Sequence, residues 1–271
     1  MPSELARRAP AAVVLILLTL GGAWAGGPAF TALVALAAGI VVVEWTRMTG
    51  RGAPGVAIVA VGAIVAAMAA FELFGPAAGL VAVFAGAVAA AVAARARAGA
   101  PGWAVAGLLY TGPAAVALVS LRADDSHGFA VIVWLFATVW TGDCAAFLAG
   151  SLIGGPRLAP RLSPAKTWAG AVGAVVGAVA VGLVSAAVLG DTSPLMLALM
   201  SGGVGIAGIL GDLCESGLKR RFGVKNAGDL IPGHGGMMDR VDSLIAAALL
   251  AAAVGLIRGG PGALAEGALI W

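Results

Sequence analysis

Charged residues are scarce in this chain. Asp, Glu, Lys and Arg make up 11% of its 271 residues, whereas an ordinary soluble domain contains about 25%. Apolar residues account for 61% of the sequence. Because a chain with so few charges cannot cover a water-exposed surface, the composition predicts a polytopic membrane protein.

Other absences exclude further classes of protein. Cys144 and Cys214 are the only cysteines, so a disulfide framework is excluded and one bridge is the most the chain could form. Two thiols without histidine partners also make a poor zinc site. The sequence has no basic face interleaved with aromatic residues, so it does not indicate a nucleic-acid partner.

Apolar runs of membrane-spanning length, about 20 residues each, are abundant. They cover residues 11–26, 29–46, 53–71, 77–94, 101–121, 128–150, 168–190, 194–213 and 243–258. We therefore expect an all-α integral membrane protein, a polytopic bundle of about nine transmembrane helices with two polar cytoplasmic loops. The first run could instead be a removed signal peptide, but eight further runs need no separate export signal, which favours a retained span.

The basic residues predict how these spans are oriented. With the N-terminus in the cytoplasm, every one of the 16 Lys and Arg residues except Arg122 and Arg258 falls in a cytoplasmic segment. This is the asymmetry that the positive-inside rule requires, and a wrong number of spans would disrupt it. The C-terminus is accordingly expected outside.

Small residues dominate the spans, and glycine alone occurs 42 times. The pair Gly173-x-x-x-Gly177 in the seventh span predicts close helix packing. Many small-residue faces also make a homodimer a candidate assembly.

Charged residues are concentrated between residues 211 and 242, around the connection between the last two spans. This stretch holds five of the 13 acidic residues, five of the 16 basic residues and one of the two histidines. Asp212 and Glu215 are spaced i, i+3, so they share a face if the preceding helix continues through them. Asp239 and Asp242 repeat that spacing. Two such pairs facing each other would form a hard-oxygen site suited to Mg2+.

Two further considerations bear on these carboxylates. Asp143, near the end of the sixth span, is an ionisable group at a costly depth, which makes it a functional candidate by default. The structural alternative for the carboxylates is that Lys219, Arg220 and Arg240 tie them down in ion pairs.

The charged segments resemble one known family. The motifs that carry the resemblance are Ser216, Lys219-Arg220, Lys225, Pro232-Gly233-His234-Gly235-Gly236, Asp239-Arg240-Val241-Asp242, Ser163-Pro164-Ala165-Lys166-Thr167 and Asp143-Cys144-Ala145-Ala146-Phe147. Together they are similar to the signature motifs of phosphatidate cytidylyltransferases, also called CDP-diglyceride synthases. The chain departs from the family at Asn226, Phe147 and Ala169, where the family usually has Asp, Tyr, and Glu or Gln. The resemblance is strong over roughly residues 140–250.

The resemblance implies an enzyme of phospholipid biosynthesis. It would transfer a cytidylyl group from CTP to phosphatidate, giving CDP-diacylglycerol and pyrophosphate, at the cytoplasmic face of the inner membrane. Residues 1–125 would then supply about five N-terminal spans, and residues 126–271 the catalytic region.

Roles for individual residues follow from the same resemblance. Mg2+ is the expected cofactor, with a second cation as a further candidate. The metal ligands would be Asp212, Glu215, Asp239 and Asp242, with Asp143 as an additional candidate. The catalytic set would be Asp212, Asp239, Asp242 and His234. The substrate-binding set would be Ser163, Lys166, Lys219, Arg220, Lys225, Gly235, Gly236 and Arg240. His234 is assigned to phosphate binding first and to proton transfer second, with a turn-stabilising role as the alternative.

Other interpretations stay open at this point. The acceptor could be another membrane lipid, served by a cytidylyltransferase or a CTP-dependent kinase. A cation-coupled transporter using Asp143 and Asp212 is a different class, although the sequence has no convincing internal repeat. Glu44-Trp45, at the end of the second span, is interpreted mainly as interfacial anchoring by the tryptophan.

Overall fold

A computed structural model describes residues 4–49, 54–97, 99–230 and 235–271, with side chains from residue 13 onward. The helices are α1 (Glu4–Ala25), α2 (Gly27–Thr49), α3 (Pro54–Phe74), α4 (Pro76–Ala96), α5 (Pro101–Arg122), α6 (Gly128–Leu152), α7 (Trp168–Leu189), α8 (Pro194–Arg221), α9 (Met238–Gly259) and α10 (Leu264–Leu269). Two short strands, β1 (Arg157–Ala159) and β2 (Ser163–Thr167), lie between α6 and α7.

Among the residues that the structure describes, eight helices, α2 to α9, are long and apolar enough to cross a membrane, judged by length and composition. Helix α1 contributes a shorter apolar segment, Val13–Ala25. This confirms the expected polytopic, all-α membrane protein. Four of the helices begin with proline, at Pro54, Pro76, Pro101 and Pro194, where its missing N–H removes no helical hydrogen bond.

The chain divides into two compact units. The first comprises residues 1–119 with 221–241, and the second comprises residues 120–220 with 242–271. Within the first unit, α3 packs closely on α4, since a methyl group on Gly86 would overlap Ala63 Cβ. The sequence divides the chain differently, into N-terminal spans (residues 1–125) and a catalytic region (residues 126–271), and that division stays a prediction.

The second unit shows the close packing expected for the seventh span. A methyl group on Gly173 would lie 2.6 Å from Ala149 Cβ, and one on Gly177 would lie 2.8 Å from Ala145 Cβ. Only glycine therefore allows α7 to approach α6 this closely, which confirms the prediction for this pair. The contact fixes the end of α6 that carries Asp143.

The polar loop after α6 contains a β-hairpin that the sequence did not predict. Strands β1 and β2 are antiparallel, with Arg157 opposite Thr167 and Ala159 opposite Ser163. Helix α7 begins directly after β2, and the hydroxyl of Thr167 accepts a 3.0 Å hydrogen bond from the amide of Gly170. This N-cap joins the hairpin to the membrane helix, so the position of Lys166 is fixed by both.

Candidate active site

The end of α8 places the first group of charged residues. The apolar run ends near residue 213, but the helix continues to Arg221, which meets the condition under which Asp212 and Glu215 share a face. Ser216 Oγ donates to Asp212 Oδ1 at 3.3 Å, and Lys219 forms an ion pair with Glu215. These contacts join residues four apart, so they lie along one face of the helix. Glu215 is only 1% exposed, which makes it a buried acid in an apolar bundle.

Helix α9 brings a third carboxylate to this face. Close contact with α8 is possible because residue 211 is glycine: a methyl group there would lie 2.6 Å from the backbone oxygen of Asp242. Oxygens of Asp212, Glu215 and Asp242 all lie within 4.8 Å of one another. We call these three residues the carboxylate triad. Three hard oxygen donors at this separation suit Mg2+.

The hairpin adds a cation to the carboxylate triad. Lys166, on β2, forms an ion pair with Asp212, and both side chains are about one quarter to one third exposed. Arg220 Nε donates to the backbone oxygen of Leu162, next to Ser163, at 3.3 Å. Through this bond the end of α8 is tied to the turn of the hairpin, and Ser163 is held nearby at the start of β2.

Ion pairing explains part of this arrangement but not all of it. Lys219 and Lys166 pair with two of the three carboxylates, as the structural alternative anticipated for Lys219. Asp242 accepts a 2.8 Å hydrogen bond from the amide of Ser243. Three carboxylates face two lysines, and Asp143 lies on α6 in the same unit. Acids outnumber bases among these five contacting side chains, which favours a bound cation.

Asp239 has a different environment. It lies on α9, three residues before Asp242, and belongs to the first unit of the structure. Its Oδ2 accepts hydrogen bonds from the amides of Ala227 at 3.1 Å and Gly236 at 2.9 Å. The structure thus groups Asp212, Glu215 and Asp242, and shows the carboxylate of Asp239 engaged with backbone amides.

Three further members of the substrate-binding set lie near Asp239 in the sequence: Lys225 and Gly235 lie between α8 and α9, and Arg240 lies in the first turn of α9. Gly235 has a φ of +83°, in the left-handed region that favours glycine. Lys225 and Arg240 are exposed, so both ammonium and guanidinium groups are accessible to a soluble ligand. Pro232, Gly233 and His234 lie outside the described residues.

Sequence reasoning missed the role of Glu44. Its carboxylate accepts hydrogen bonds from the amides of Met237 at 2.9 Å and Met238 at 2.8 Å, at the start of α9. An acid within an apolar span was the available signal. The interpretation of Trp45 as an interfacial anchor is wrong: it is 5% exposed, stacks on Tyr110 and donates to the backbone oxygen of Trp103 at 2.8 Å.

Comparison with known proteins places the chain in a family. Residues 6–257 match the model of the cytidylyltransferase family. The chain is 39% identical to the phosphatidate cytidylyltransferase of Brucella suis biovar 1 over 264 residues, 96% of each protein. It is 38% identical to that of Brucella abortus biovar 1 over the same coverage. The phosphatidate cytidylyltransferase of Haemophilus influenzae is 34% identical over 129 residues, 46% of this chain and 45% of that protein. With a match that spans nearly the whole chain, the protein belongs to the cytidylyltransferase family.

Proposed function

We propose that this protein is a phosphatidate cytidylyltransferase, which converts CTP and phosphatidate to CDP-diacylglycerol and pyrophosphate. The observation that carries the proposal is the carboxylate triad with Lys166 and Lys219 beside it, at the end of an apolar helix. Such a group provides for both a metal ion and phosphate oxygens. The apolar helices supply the environment in which the acyl chains of the lipid reside.

The carboxylate triad fits Mg2+, because its donors are oxygens and its three acids outnumber the two lysines paired with them. Asp212, Glu215 and Asp242 would hold the ion, with Asp239 assigned from the sequence and Asp143 as a further candidate. Bound there, Mg2+ would polarise the α-phosphate and neutralise charge on the departing pyrophosphate. A second cation remains a candidate because the acids outnumber the lysines.

The basic residues provide for the phosphate groups of both substrates. Lys166 and Lys219 would exchange their carboxylate partners for phosphate oxygens when CTP binds. Arg220, Lys225 and Arg240 are exposed. Their side chains can therefore bind an anionic ligand at a lower desolvation cost than Lys219, whose side chain is 14% exposed. Gly235 and Gly236 are assigned backbone contacts to a phosphate from the sequence; the amide of Gly236 donates to Asp239, so Gly235 is the one placed to bind it. Ser163 and His234 are assigned hydrogen bonds to the phosphate.

The chemistry needs little acid or base catalysis from the protein. An oxygen of the phosphatidate phosphate attacks the α-phosphorus of CTP and forms a new P–O–P bond. The bond from the α-phosphorus to the bridging oxygen breaks, and the β- and γ-phosphates leave as pyrophosphate. Because the attacking phosphate monoester is already ionised at neutral pH, positioning and charge neutralisation dominate the catalysis. His234 is therefore assigned to binding first.

Isotope transfer tests this reaction directly. Purified protein in phosphatidate vesicles should transfer label from the α-position of CTP into lipid and release γ-label as pyrophosphate. Omitting phosphatidate should abolish the transfer. A CTP-dependent lipid kinase would instead place γ-label in the lipid and release CDP. Transfer of α-label into vesicles that contain another lipid phosphate but no phosphatidate would assign a different acceptor, and cation flux without transfer would favour a transporter.

The site is proposed to face the cytoplasm of a cell's inner membrane, where CTP is available. The support is the distribution of basic residues, since only Arg122 and Arg258 fall in external segments under the positive-inside rule. A homodimer stays a prediction from the small-residue faces.

Cysteine accessibility checks this orientation. In a background with Cys144 and Cys214 replaced by serine, a cysteine at exposed Pro160 in the hairpin should resist a membrane-impermeant thiol reagent in intact cells. One at exposed Asp125, between α5 and α6, should react with it. After the membrane is permeabilised, both should be labelled. Labelling at residue 160 in intact cells would contradict the proposed orientation.

A further inference from the structure

The segment between α8 and α9 meets a carboxylate from a distant part of the chain. Glu44 lies on α2 and is 3% exposed. Besides its bonds from the amides of Met237 and Met238, it touches the middle of the segment at Gly228 and its end at Gly236. A methyl group on Gly228 would lie 2.7 Å from Glu44 Oε1, and one on Gly236 would lie 2.6 Å from Oε2. The carboxylate therefore fills the space between residues 228 and 236, and neither position has room for a side chain.

The two hydrogen bonds that Glu44 accepts are strong, because they join a carboxylate to the amides at the start of a helix. Helix α9 begins at Met238, and the first amides of a helix lack partners within it. A carboxylate at this end satisfies them and interacts favourably with the helix dipole. Hydrogen bonds to a charged acceptor are also stronger than neutral ones. A buried acid in an apolar span is costly, and these two bonds offset that cost.

Glu44 acts on the same residues as Asp239. The amide of Gly236 donates to Asp239 Oδ2 at 2.9 Å, while its α-carbon faces Glu44. The amide of Ala227 donates to Asp239 as well, next to Gly228. Two carboxylates thus hold the middle of the segment, at residues 227 and 228, against its end, and Gly236 contacts both.

We propose that Glu44 is a positioning residue for nucleotide binding. It holds Gly236, whose amide donates to Asp239, and thereby fixes the conformation in which the backbone of the neighbouring Gly235 is presented to a phosphate, without touching the substrate itself. This inference rests on the proposed function, because it assigns a nucleotide phosphate as the ligand of Gly235.

The variant Glu44→Gln tests this role with little change in size. The side-chain nitrogen of glutamine is a donor and cannot accept a hydrogen bond from a backbone amide. One of the two bonds from Met237 and Met238 is therefore lost. We expect the KM for CTP to rise about tenfold or more, with a smaller change in kcat, because binding geometry is affected rather than the reacting atoms. Gly236→Ala, which presses a methyl group against the same carboxylate, should raise the KM for CTP as well. The double variant should be less impaired than the product of the two effects predicts.

A matched control is available in the same unit. Glu72 lies on α3 and accepts a hydrogen bond from the hydroxyl of Thr31, and Glu72→Gln can still accept that bond. It should leave the KM for CTP unchanged.

Hydrogen exchange of the purified proteins separates the failure of this inference from failure of the proposed function. Peptides that cover residues 226–241 should exchange faster in Glu44→Gln than in the wild type or in Glu72→Gln. If exchange is faster but the KM for CTP is unchanged, Glu44 has only a structural role. If exchange is unchanged, Glu44 does not hold the segment. Either result overturns the inference. If Glu44→Gln does not fold, a normal KM in Gly236→Ala overturns it. A wild-type protein that transfers no label from CTP would refute the proposed function, and exchange would still show whether Glu44 holds the segment.

Discussion

Asp212→Asn is expected to lower the rate of cytidylyl transfer by about a hundred- to a thousandfold, equivalent to several kcal/mol of transition-state stabilisation. Asp212 is one of three carboxylates whose oxygens lie within 4.8 Å of one another. Asparagine keeps the shape of the side chain and can still accept the hydrogen bond from Ser216, but it removes a negative charge that the remaining ligands cannot replace. Initial rates measured against Mg2+ concentration should show a lower maximum and a half-maximal point at higher Mg2+.

Two variants show whether Asp212 acts through a metal or through its lysine partner. Lys166→Met removes the other half of the ion pair and should raise the KM for CTP without moving the Mg2+ midpoint. Asp125→Asn makes the same chemical change at an exposed position between α5 and α6 and should behave as the wild type. If Lys166→Met shifted the Mg2+ midpoint as Asp212→Asn does, the carboxylate would serve mainly to hold Lys166. Near-normal activity of Asp212→Asn would refute its assignment to the metal.

Two members of the carboxylate triad were predictable as neighbours because they follow helical spacing. Asp212 and Glu215 are three residues apart, and the helix that carries them continues past the apolar run, so a periodicity argument was sufficient to place them on one face. That Asp242 should meet them required a contact between helices. Gly211 permits that contact, but a glycine in a chain with 42 of them does not reveal which helix it faces.

Features that depend on long-range contacts were not predictable in this way. Glu44 bonds to amides 193 and 194 positions later in the chain, and no local pattern encodes such a pairing. Trp45 illustrates the same limit, because tryptophan near the end of a span is usually interfacial, whereas here Tyr110 and Trp103 enclose it. The hairpin strands of three and five residues are too short to produce a clear period-2 signal.

Asp239→Asn is expected to lower activity by about a hundredfold, although it should preserve the local backbone. The two amides that reach this side chain, those of Ala227 and Gly236, converge on one oxygen, Oδ2. The single carbonyl oxygen of asparagine can accept both bonds, so the segment stays in place while the negative charge is lost. Hydrogen exchange over residues 226–241 should therefore match the wild type, and the transfer of α-label from CTP should fall.

Asp239→Ala separates the charge of Asp239 from its hydrogen bonds. Alanine removes both, so exchange in this segment should accelerate and activity should fall at least as far as in Asp239→Asn. If Asp239 has the catalytic role assigned from the sequence, the two variants lose most of the activity together, because the charge is what the reaction needs. If Asp239→Asn instead kept most of the activity and only Asp239→Ala lost it, the carboxylate would be needed for its two backbone bonds alone. Asp239 would then join Glu44 in positioning the segment, and metal binding would be left to Asp212, Glu215 and Asp242.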